Sequence, residues 1–296
     1  MIRVATRASP LARWQAERVG TLLGSDVEYV LVTTTGDRDQ TSDLHAIGGQ
    51  GVFTKEVQQA VLGGRADVAV HSAKDLPPAT PAGLSLAAIP ERGDVRDALV
   101  GCRLAELPTA ARVGTGSVRR RAQLAAARSD LTFGPLRGNI ETRLRKRAEM
   151  GYDAVVIAYA ALERLGLAAH ASEVLEPAVL LPQVAQGALA VECRAGDWQT
   201  AARLRAIDDR AARRTVDAER AFLAELGGGC NLPCGGLARL RRDGTIVLDA
   251  LLASLDGHVV VRTRVEGAEP AAVGERAADE LRRAFPEEIV PEEIVS

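Results

Sequence analysis

The hydrophobic pattern of the first two-thirds of the chain alternates between strand-like and helix-like segments. Apolar or β-branched runs predict strands at residues 2–6, 27–35, 66–71, 112–114, 131–136 and 154–158. Amphipathic segments between them predict helices at residues 10–23, at 53–62, from about 118 onward and at 140–150. Ser9 and Pro10 are a typical start for the first of these helices. Repeated strand–helix units of this kind predict parallel sheets covered by helices.

This pattern occurs in two successive runs, which predicts two lobes with a cleft between them. Residues 182–187 are predicted to cross between the lobes, and residues 188–193 to form a strand that returns to the first lobe. Residues 35–51 form a long polar stretch with several glycines, so we predict a mobile loop there.

The last third of the chain has a different character. Helices are predicted at residues 200–205 and 210–226, and then alternating runs joined by Asp-Gly turns follow at 237–242, 246–254 and 258–265. This pattern is typical of an antiparallel meander, and a helix is predicted at residues 270–285. The predicted fold class is therefore α/β, with two lobes and a small C-terminal α+β domain that has an antiparallel sheet. The predicted boundaries are 1–93 with 188–206, 94–187, and 207–296.

Composition excludes several classes of protein. The chain has 296 residues, of which 47% are hydrophobic and 26% are charged, as in an ordinary globular protein. Its longest apolar run, at residues 154–162, is far shorter than the roughly 20 residues of a membrane span. With no apolar signal region and four cysteines, we expect a cytoplasmic protein with reduced thiols. A net charge of −2 and 3% aromatic residues do not favour a nucleic-acid binder.

Arginines occur where the predicted strands end. Arg119, Arg120 and Arg121 lie in the first turn of a helix, where cations are unfavourable, so their position there indicates function. Arg137 and Arg143 lie at the corresponding end of the next strand–helix unit, and Arg7 follows the first strand. Ligands of open α/β sheets bind at these strand ends, and arginine binds carboxylates bidentately. No nucleotide-binding glycine motif is present, so a small polycarboxylate is the favoured ligand. Solvated surface arginine is the alternative, above all for Arg121.

Two further segments carry candidate chemistry. Lys74 and Asp75 follow a buried strand, where they form either a pair suited to acid–base chemistry or an ordinary turn ion pair. Cys230 follows three glycines, which indicates either a reactive thiol for covalent attachment or a simple loop cysteine. Its spacing from Cys234 and the scarcity of histidines do not favour zinc, and no metal is expected.

Six segments in this order, spanning essentially the whole chain, together resemble the hydroxymethylbilane synthase family, also called the porphobilinogen deaminases. They are Arg3-Val-Ala-Thr-Arg7-Ala-Ser9-Pro-Leu-Ala-Arg-Trp-Gln15, Ala69-Val-His71-Ser-Ala-Lys74-Asp75-Leu-Pro77, Val113-Gly-Thr115-Gly-Ser117-Val-Arg-Arg120, Leu136-Arg137-Gly-Asn139 with Thr142-Arg143-Leu144, Gln186-Gly187-Ala-Leu-Ala-Val-Glu192-Cys193, and Gly228-Gly229-Cys230-Asn-Leu-Pro233.

The resemblance implies two lobes like type II periplasmic binding proteins, with the active site between them, and a third domain. It implies a dipyrromethane cofactor joined to Cys230 by a thioether, with no metal. The implied transferase reaction condenses four porphobilinogen molecules head to tail, releasing four ammonia molecules and then 1-hydroxymethylbilane. It also implies a monomer with no nucleic-acid or membrane partner.

The resemblance also assigns roles to individual residues. Asp75 would be the catalytic acid and base. The residues that would bind cofactor or substrate are Arg7, Ser9, Gln15, Lys74, Thr115, Ser117, Arg119, Arg120, Arg137, Arg143 and Arg164, with Phe53 flanking the pyrroles. Two positions depart from the family pattern: Gln50 stands where many relatives have lysine, and Gly116 where serine is often found.

A non-catalytic anion-binding module with the periplasmic-binding-protein fold is the alternative function, since a fold alone does not determine activity. The Cys230 loop, Asp75 and the missing export signal argue against it. A nucleic-acid binder that uses Arg119 to Arg121 is a third possibility, against which the near-neutral charge argues.

Overall fold

The computed structural model describes residues 1–38, 51–227 and 232–286. The chain divides into two compact units, Met1–Gly93 with Gly187–Arg213 and Asp94–Gln186 with Arg214–Ser296. The described residues contain strands β1 (Ile2–Arg7), β2 (Val27–Val32), β3 (Val68–Ser72), β4 (Leu84–Ala88), β5 (Asp97–Val100), β6 (Arg112–Gly114), β7 (Thr132–Gly134), β8 (Ala154–Ala158), β9 (Glu173–Leu175), β10 (Leu189–Arg194), β11 (Cys234–Leu240), β12 (Ile246–Ala253) and β13 (Val260–Gly267).

The described helices are α1 (Pro10–Leu23), α2 (Thr35–Arg38), α3 (Lys55–Leu62), α4 (Val118–Ala127), α5 (Ile140–Glu149), α6 (Tyr159–Arg164), α7 (Trp198–Leu204), α8 (Arg210–Glu225) and α9 (Pro270–Ala284). Within the described ranges, no helix combines the length and the apolar character that crossing a bilayer requires.

The first unit is built on a five-stranded sheet in the order β2-β1-β3-β10-β4. β1 pairs in parallel with β2 and β3, whereas β10 runs antiparallel to both β3 and β4. Val4 packs with Val19 of α1 on one face, and Ala5 packs with Val57 of α3 on the other. A strand covered on both faces needs apolar side chains at successive positions, which explains the continuous apolar run of β1.

The second unit contains a sheet with the same arrangement, in the order β7-β6-β8-β5-β9. β6 is parallel to β7 and β8, and β5 is antiparallel to β8 and β9. Gly114 and Gly134 end the two parallel strands against the ring of Tyr152, where an added Cβ would lie 2.7 and 2.5 Å from ring atoms. The missing side chains therefore allow the ring to pack directly on the strand ends.

The C-terminal part of the second unit is a three-stranded antiparallel sheet in the order β11-β12-β13. Helix α9 packs on it through Val273, Ala277 and Leu281, all of which are buried. The β12–β13 turn approaches α4 so closely that a Cβ on Gly257 would lie 2.2 Å from the carbonyl oxygen of Ala122. The antiparallel sheet and α4 are therefore in direct contact.

The predicted fold class is confirmed: the protein is α/β, with two sheet-based lobes and a small antiparallel C-terminal domain. The predicted return of a strand at residues 188–193 to the first sheet is also confirmed by β10. The exact three-domain boundaries stay a prediction.

Two expectations need correction. The sheets are mixed rather than parallel, because β10 and β5 run antiparallel, and the short strands β4, β5 and β9 were not predicted. Within the predicted mobile loop, Thr35–Arg38 forms one helical turn, α2. Residues 39–50 of that loop lie outside the described part of the chain.

The contact between Gly257 and α4 predicts a difference between two hairpin turns of the same sheet. Gly257 and Gly244 have φ values of 78° and 86°, but the nearest atom to a Cβ on Gly244 is 3.6 Å away. We expect Gly244→Ala to lower the free energy of unfolding by about 1–2 kcal/mol through backbone strain alone. Gly257→Ala should cost about 1–3 kcal/mol more, because the methyl group also overpacks against α4. Denaturant titration of both variants checks this; equal losses would contradict the close packing.

Candidate functional site

Arg7 and Phe53, both predicted site residues, contact each other in the first unit. Arg7 ends β1, and its Cζ atom lies 4.3 Å from the centroid of the Phe53 ring, a cation–π contact. The same guanidinium binds Asp37, with Nε 3.2 and 3.1 Å from the two carboxylate oxygens and Nη2 in a further hydrogen bond. Arg7 is thus fixed between an aromatic face and a carboxylate.

The short helix α2 provides that carboxylate. Asp37 also accepts hydrogen bonds from the backbone N–H of Thr34 at 3.1 Å and from its hydroxyl at 2.8 Å. Burial raises the pKa of Asp37, but Arg7 and Thr34 together outweigh burial, so the pKa lies below its ordinary value. A Cβ on Gly36 would lie 2.2 Å from the Phe53 ring, so this glycine allows the ring to approach the backbone.

Two other predicted binding residues of this unit serve its local structure. The Ser9 hydroxyl accepts a hydrogen bond from the N–H of Ala12 at 3.4 Å and caps α1, as predicted from the sequence. Gln15 is only 2% exposed, and its amide donates to the Ser72 hydroxyl at 2.7 Å. This hydrogen bond ties α1 to the last residue of β3.

Asp75 lies three residues beyond Ser72, in the 3-10 turn Ala73–Asp75 that follows β3. Its side chain is partly buried, and it makes no hydrogen bond or ion pair with any residue that the structure describes. The neighbouring Lys74 is also partly buried, and the two side chains do not form the turn ion pair considered above. Asp75 is therefore an uncommitted carboxylate at a strand end, that is, one with no hydrogen-bond or ion-pair partner among the described residues.

The end of β3 is also anchored on its other side. His71 Nε2 lies 3.1 Å from Glu192 Oε2 of the adjacent β10, and both side chains are buried. The same carboxylate oxygen accepts a hydrogen bond from Gln58 of α3 at 2.9 Å. Contacts from α1, α3 and β10 therefore hold the segment that leads into Asp75.

In the second unit, the predicted binding hydroxyls form the start of α4. Thr115 Oγ1 accepts a hydrogen bond from the N–H of Ser117 at 3.2 Å, and Ser117 Oγ caps the helix by accepting from the N–H of Arg120 at 3.4 Å. A Cβ on Gly116 would lie 3.0 Å from the carbonyl oxygen of Leu136. A serine at this position would thus be tightly packed against the neighbouring loop.

Arg119 and Arg120 are buried and share one carboxylate, that of Asp97. Arg119 Nη2 lies 2.7 Å from Asp97 Oδ2, and Arg120 Nη2 lies 2.6 Å from Oδ1. Their Nη1 atoms donate to the carbonyl oxygens of Leu181 and Val156. The alternative of solvated surface arginine therefore does not apply to these two, whereas the adjacent Arg121 is exposed.

The charge state of this cluster follows from its geometry. Burial raises the pKa of Asp97, but the charges and hydrogen bonds of Arg120 and Arg119 outweigh it and hold the pKa well below its ordinary value. Burial lowers the pKa of Arg119 despite the opposing charge of Asp97. With an ionised carboxylate and two guanidiniums, the three side chains carry one net positive charge away from water.

The other predicted arginines of this unit surround the next loop and helix. Arg143 Nε donates to the carbonyl oxygen of Gly138 at 2.8 Å, and Lys146 donates to that of Arg137 at 3.2 Å. Gly138 has a φ of 112°, which only glycine adopts without strain, so this loop depends on it. Arg164 ends α6, where burial lowers its pKa to about 10 against the opposing charge of Glu163; it remains charged at neutral pH.

Asp97, Gln186 and Asp37 are not among the site residues predicted from the sequence. Gln186 Nε2 donates to Asp97 Oδ1 at 2.9 Å and to the carbonyl oxygen of Val95 at 2.9 Å. The available signal for Asp97 was an acidic residue that directly precedes the apolar run Ala98–Val100. Gln186 did occur in one of the resembling segments. Cys230 and Gln50 lie outside the described residues.

Both units thus place arginines at or just beyond the ends of sheet strands, and the first adds an uncommitted carboxylate. These features are typical of α/β proteins that bind a polyanionic small molecule. A family model described as "Porphobilinogen deaminase, dipyromethane cofactor binding domain" matches residues 2–202, and one described as "Porphobilinogen deaminase, C-terminal domain" matches residues 213–283. The chain belongs to the porphobilinogen deaminase family.

Curated relatives agree with this assignment along nearly the whole chain. The porphobilinogen deaminase of Roseiflexus castenholzii is 48% identical over 289 residues, which cover 95% of each chain. That of Acidothermus cellulolyticus is 46% identical over 302 residues, covering 98% of this chain and 91% of the relative. Among solved structures, a substrate-binding protein of an amino acid ABC transporter is 14% identical and covers 70% of this chain and 90% of its own, with a TM-score of 0.37.

The low pKa of Asp37 predicts how its contribution to stability depends on pH. Because the folded-state pKa lies below the unfolded value of about 3.9, the stabilisation is complete above that pH and is lost as the pH falls through the folded-state pKa. We expect Asp37→Asn to lower the free energy of unfolding at pH 7 by about 1–2 kcal/mol. The difference from the parent protein should shrink below about pH 4.

Urea titrations at several pH values measure this difference. Asp26→Asn, a change at an exposed carboxylate of the same unit, serves as the control. A deficit in Asp37→Asn that stayed constant down to pH 2 would show that Asp37 is not held ionised by Arg7.

Proposed function

We propose that the protein is a hydroxymethylbilane synthase. It would join four porphobilinogen molecules head to tail on a covalent dipyrromethane primer, release four ammonia molecules, and free 1-hydroxymethylbilane by hydrolysis. Membership of the porphobilinogen deaminase family over nearly the whole chain is the observation that carries this proposal. The product class makes it a carbon–carbon bond-forming transferase of tetrapyrrole and haem biosynthesis.

The arginines suit this substrate. Porphobilinogen carries an acetate and a propionate, so a chain of pyrroles accumulates carboxylates that need cationic partners. Arg7, Arg137, Arg143 and Arg164 lie near strand ends or in the loops and helices that follow them, and the Arg119–Arg120 cluster has a surplus positive charge. The overall charge of −2 does not oppose this role, because the local potential governs binding.

The residues present also fit the cofactor that the family model names. The Nε atoms of Arg119 and Arg120 are buried and have no hydrogen-bond partner within the described residues. Buried guanidinium donors with surplus charge suit a carboxylate better than any neutral group. These two arginines, with Thr115 and Ser117, would hold the carboxylates of the cofactor, and Cys230 would carry it. When bound, the cofactor would supply the primer to which substrate is added.

Asp75 would act as the general acid and base on the substrate. Its protonated carboxyl would donate a proton to the amino group of porphobilinogen as that group leaves as ammonia. The resulting carboxylate would lie beside the cation left on the pyrrole methylene carbon and stabilise it. It would then accept the proton released when the new carbon–carbon bond forms, which restores the acid for the next cycle.

Supporting roles follow from the contacts already described. Gln15 and His71 would fix the backbone that carries Asp75, and Lys74 would provide a neighbouring positive charge. Phe53, held over Arg7, would present an aromatic surface beside the pyrroles. We further propose that the protein works as a monomer in the cytoplasm and needs no metal, nucleic acid or membrane.

The rival proposal is a non-catalytic anion-binding module. It would use the same arginines, but it gives no role to an uncommitted carboxylate at a strand end or to a cysteine behind three glycines. The two proposals differ in one chemical property, the presence of a covalent primer.

Intact mass under denaturing conditions tests for that primer. We expect the purified protein, after incubation with porphobilinogen, to exceed its sequence mass by two linked pyrrole units. Cys230→Ser should show only the bare mass, because the thioether needs the sulfur atom. Cys102→Ser, which removes a different free cysteine, is the control and should keep the added mass. A bare mass for the parent protein after this incubation would favour the non-catalytic module.

Substitution of Asp75 tests the acid–base role. Asp75→Asn keeps the size of the side chain but removes its titrating oxygen, and general acid–base catalysis contributes about 10²- to 10⁴-fold to rate. We therefore expect the turnover number of hydroxymethylbilane formation to fall by about 10²-fold or more, with unchanged thermal unfolding. The control Asp26→Asn should retain the parental rate. Parental turnover by Asp75→Asn would remove Asp75 from the mechanism.

A further inference from the structure

Both carboxylate oxygens of Asp97 accept hydrogen bonds from buried side chains. Its Oδ1 accepts from Arg120 at 2.6 Å and from Gln186 at 2.9 Å, and its Oδ2 accepts from Arg119 at 2.7 Å. The carboxylate is 0% exposed. Because each oxygen has an arginine of its own, the two guanidiniums are held side by side by one rigid anion.

The sheet places Asp97 at the edge where the parallel strands end. Asp97 begins β5 and pairs with Ala158, the last residue of β8. Gly114, the last residue of β6, pairs with Val155 of the same β8, and α4 follows β6 with Arg119 and Arg120 in its first turn. Asp97 can reach them only because β5 runs antiparallel and therefore starts where its neighbours finish.

The positive charge of the cluster exceeds its negative charge within the described part of the chain. Two guanidiniums face one carboxylate, and each arginine keeps a buried Nε–H without a partner among the described residues. A purely structural ion pair would be neutral and have its donors satisfied, because an unpaired buried donor is destabilising. The surplus charge and the two spare donors indicate that an anion completes the cluster.

We propose that Asp97 is a positioning residue that orients Arg119 and Arg120 for the carboxylates of the pyrrole ligand, with Gln186 holding Asp97 in place. This inference rests on the proposed function. Asp97 itself touches no substrate; it acts by fixing the two guanidinium planes before the ligand arrives. Without it the two like charges repel each other, and each side chain loses a fixed orientation.

The test compares Asp97→Ala with Asp249→Ala in the full-length protein. Asp249 also binds two arginines of the second unit, Arg239 at 2.5 Å and Arg264 at 2.6 Å, but on the antiparallel sheet. Steady-state kinetics with porphobilinogen and intact mass are measured for both variants and for the parent, each with and without sodium acetate. Acetate can fill the space left by the Asp97 carboxyl group.

For Asp97→Ala we expect the KM for porphobilinogen to rise about tenfold, as the loss of one charged hydrogen bond implies, and the fraction carrying the primer mass to fall. Acetate should lower the KM of this variant but should not lower the KM of the parent. Asp249→Ala should keep the parental KM and primer fraction. A purely structural role would instead reduce the active fraction, which lowers kcat at unchanged KM.

Other outcomes overturn the inference. The positioning role is wrong if Asp97→Ala has the parental KM and the parental primer fraction. It is also wrong if acetate does not lower the raised KM of this variant. If Asp97→Ala does not fold, Asp97→Asn replaces it. The same criterion applies: a raised KM supports the positioning role, and a lowered kcat at unchanged KM supports a purely structural one. Failure of both variants to fold in acetate would assign Asp97 to stability alone. A parent protein that forms neither primer nor hydroxymethylbilane would overturn the proposed function instead, whatever the variants show.

Discussion

The second unit depends on one buried carboxylate that holds two guanidiniums at the end of a sheet. Burying charged side chains is expensive, and Asp97, Arg119 and Arg120 are tolerated only because nearly every polar atom has a charged or backbone partner. Among the residues that the structure describes, the two Nε atoms are the exceptions. Under the proposed function, an anionic ligand would offset the cost of placing this charge inside the unit. Folding and ligand binding would then depend on the same interactions.

The antiparallel strand inserted in each sheet makes such an arrangement possible. In the second unit it starts with Asp97 beside the last residue of β8, and in the first it starts with Leu189 beside Ser72, the last residue of β3. In both sheets a strand therefore begins where its neighbours end. This topology adds side chains from a distant part of the sequence to the edge that otherwise receives only loops and helix starts.

The parts of the fold that depend on local sequence were predictable. The start of α1 at Ser9 and Pro10 and the buried strand β8 follow from short-range preferences and a continuous apolar run. β5 has only four residues, and its pairing with β8 joins segments far apart in sequence, so no local pattern reveals it. Of the site, the arginines could be predicted from their unfavourable helix position. Their burial could not, because Asp97 is 22 residues away from Arg119.

The division into two compact units also determines what optical probes report. The chain has two tryptophans, Trp14 in α1 and Trp198, 70% exposed, at the start of α7. Both belong to the first unit. Tryptophan emission therefore follows the unit that contains Asp75 and does not observe the arginine cluster, whereas far-ultraviolet circular dichroism sums both units. Coincident transitions by the two signals would mean that the units unfold together, and separate transitions that they unfold independently.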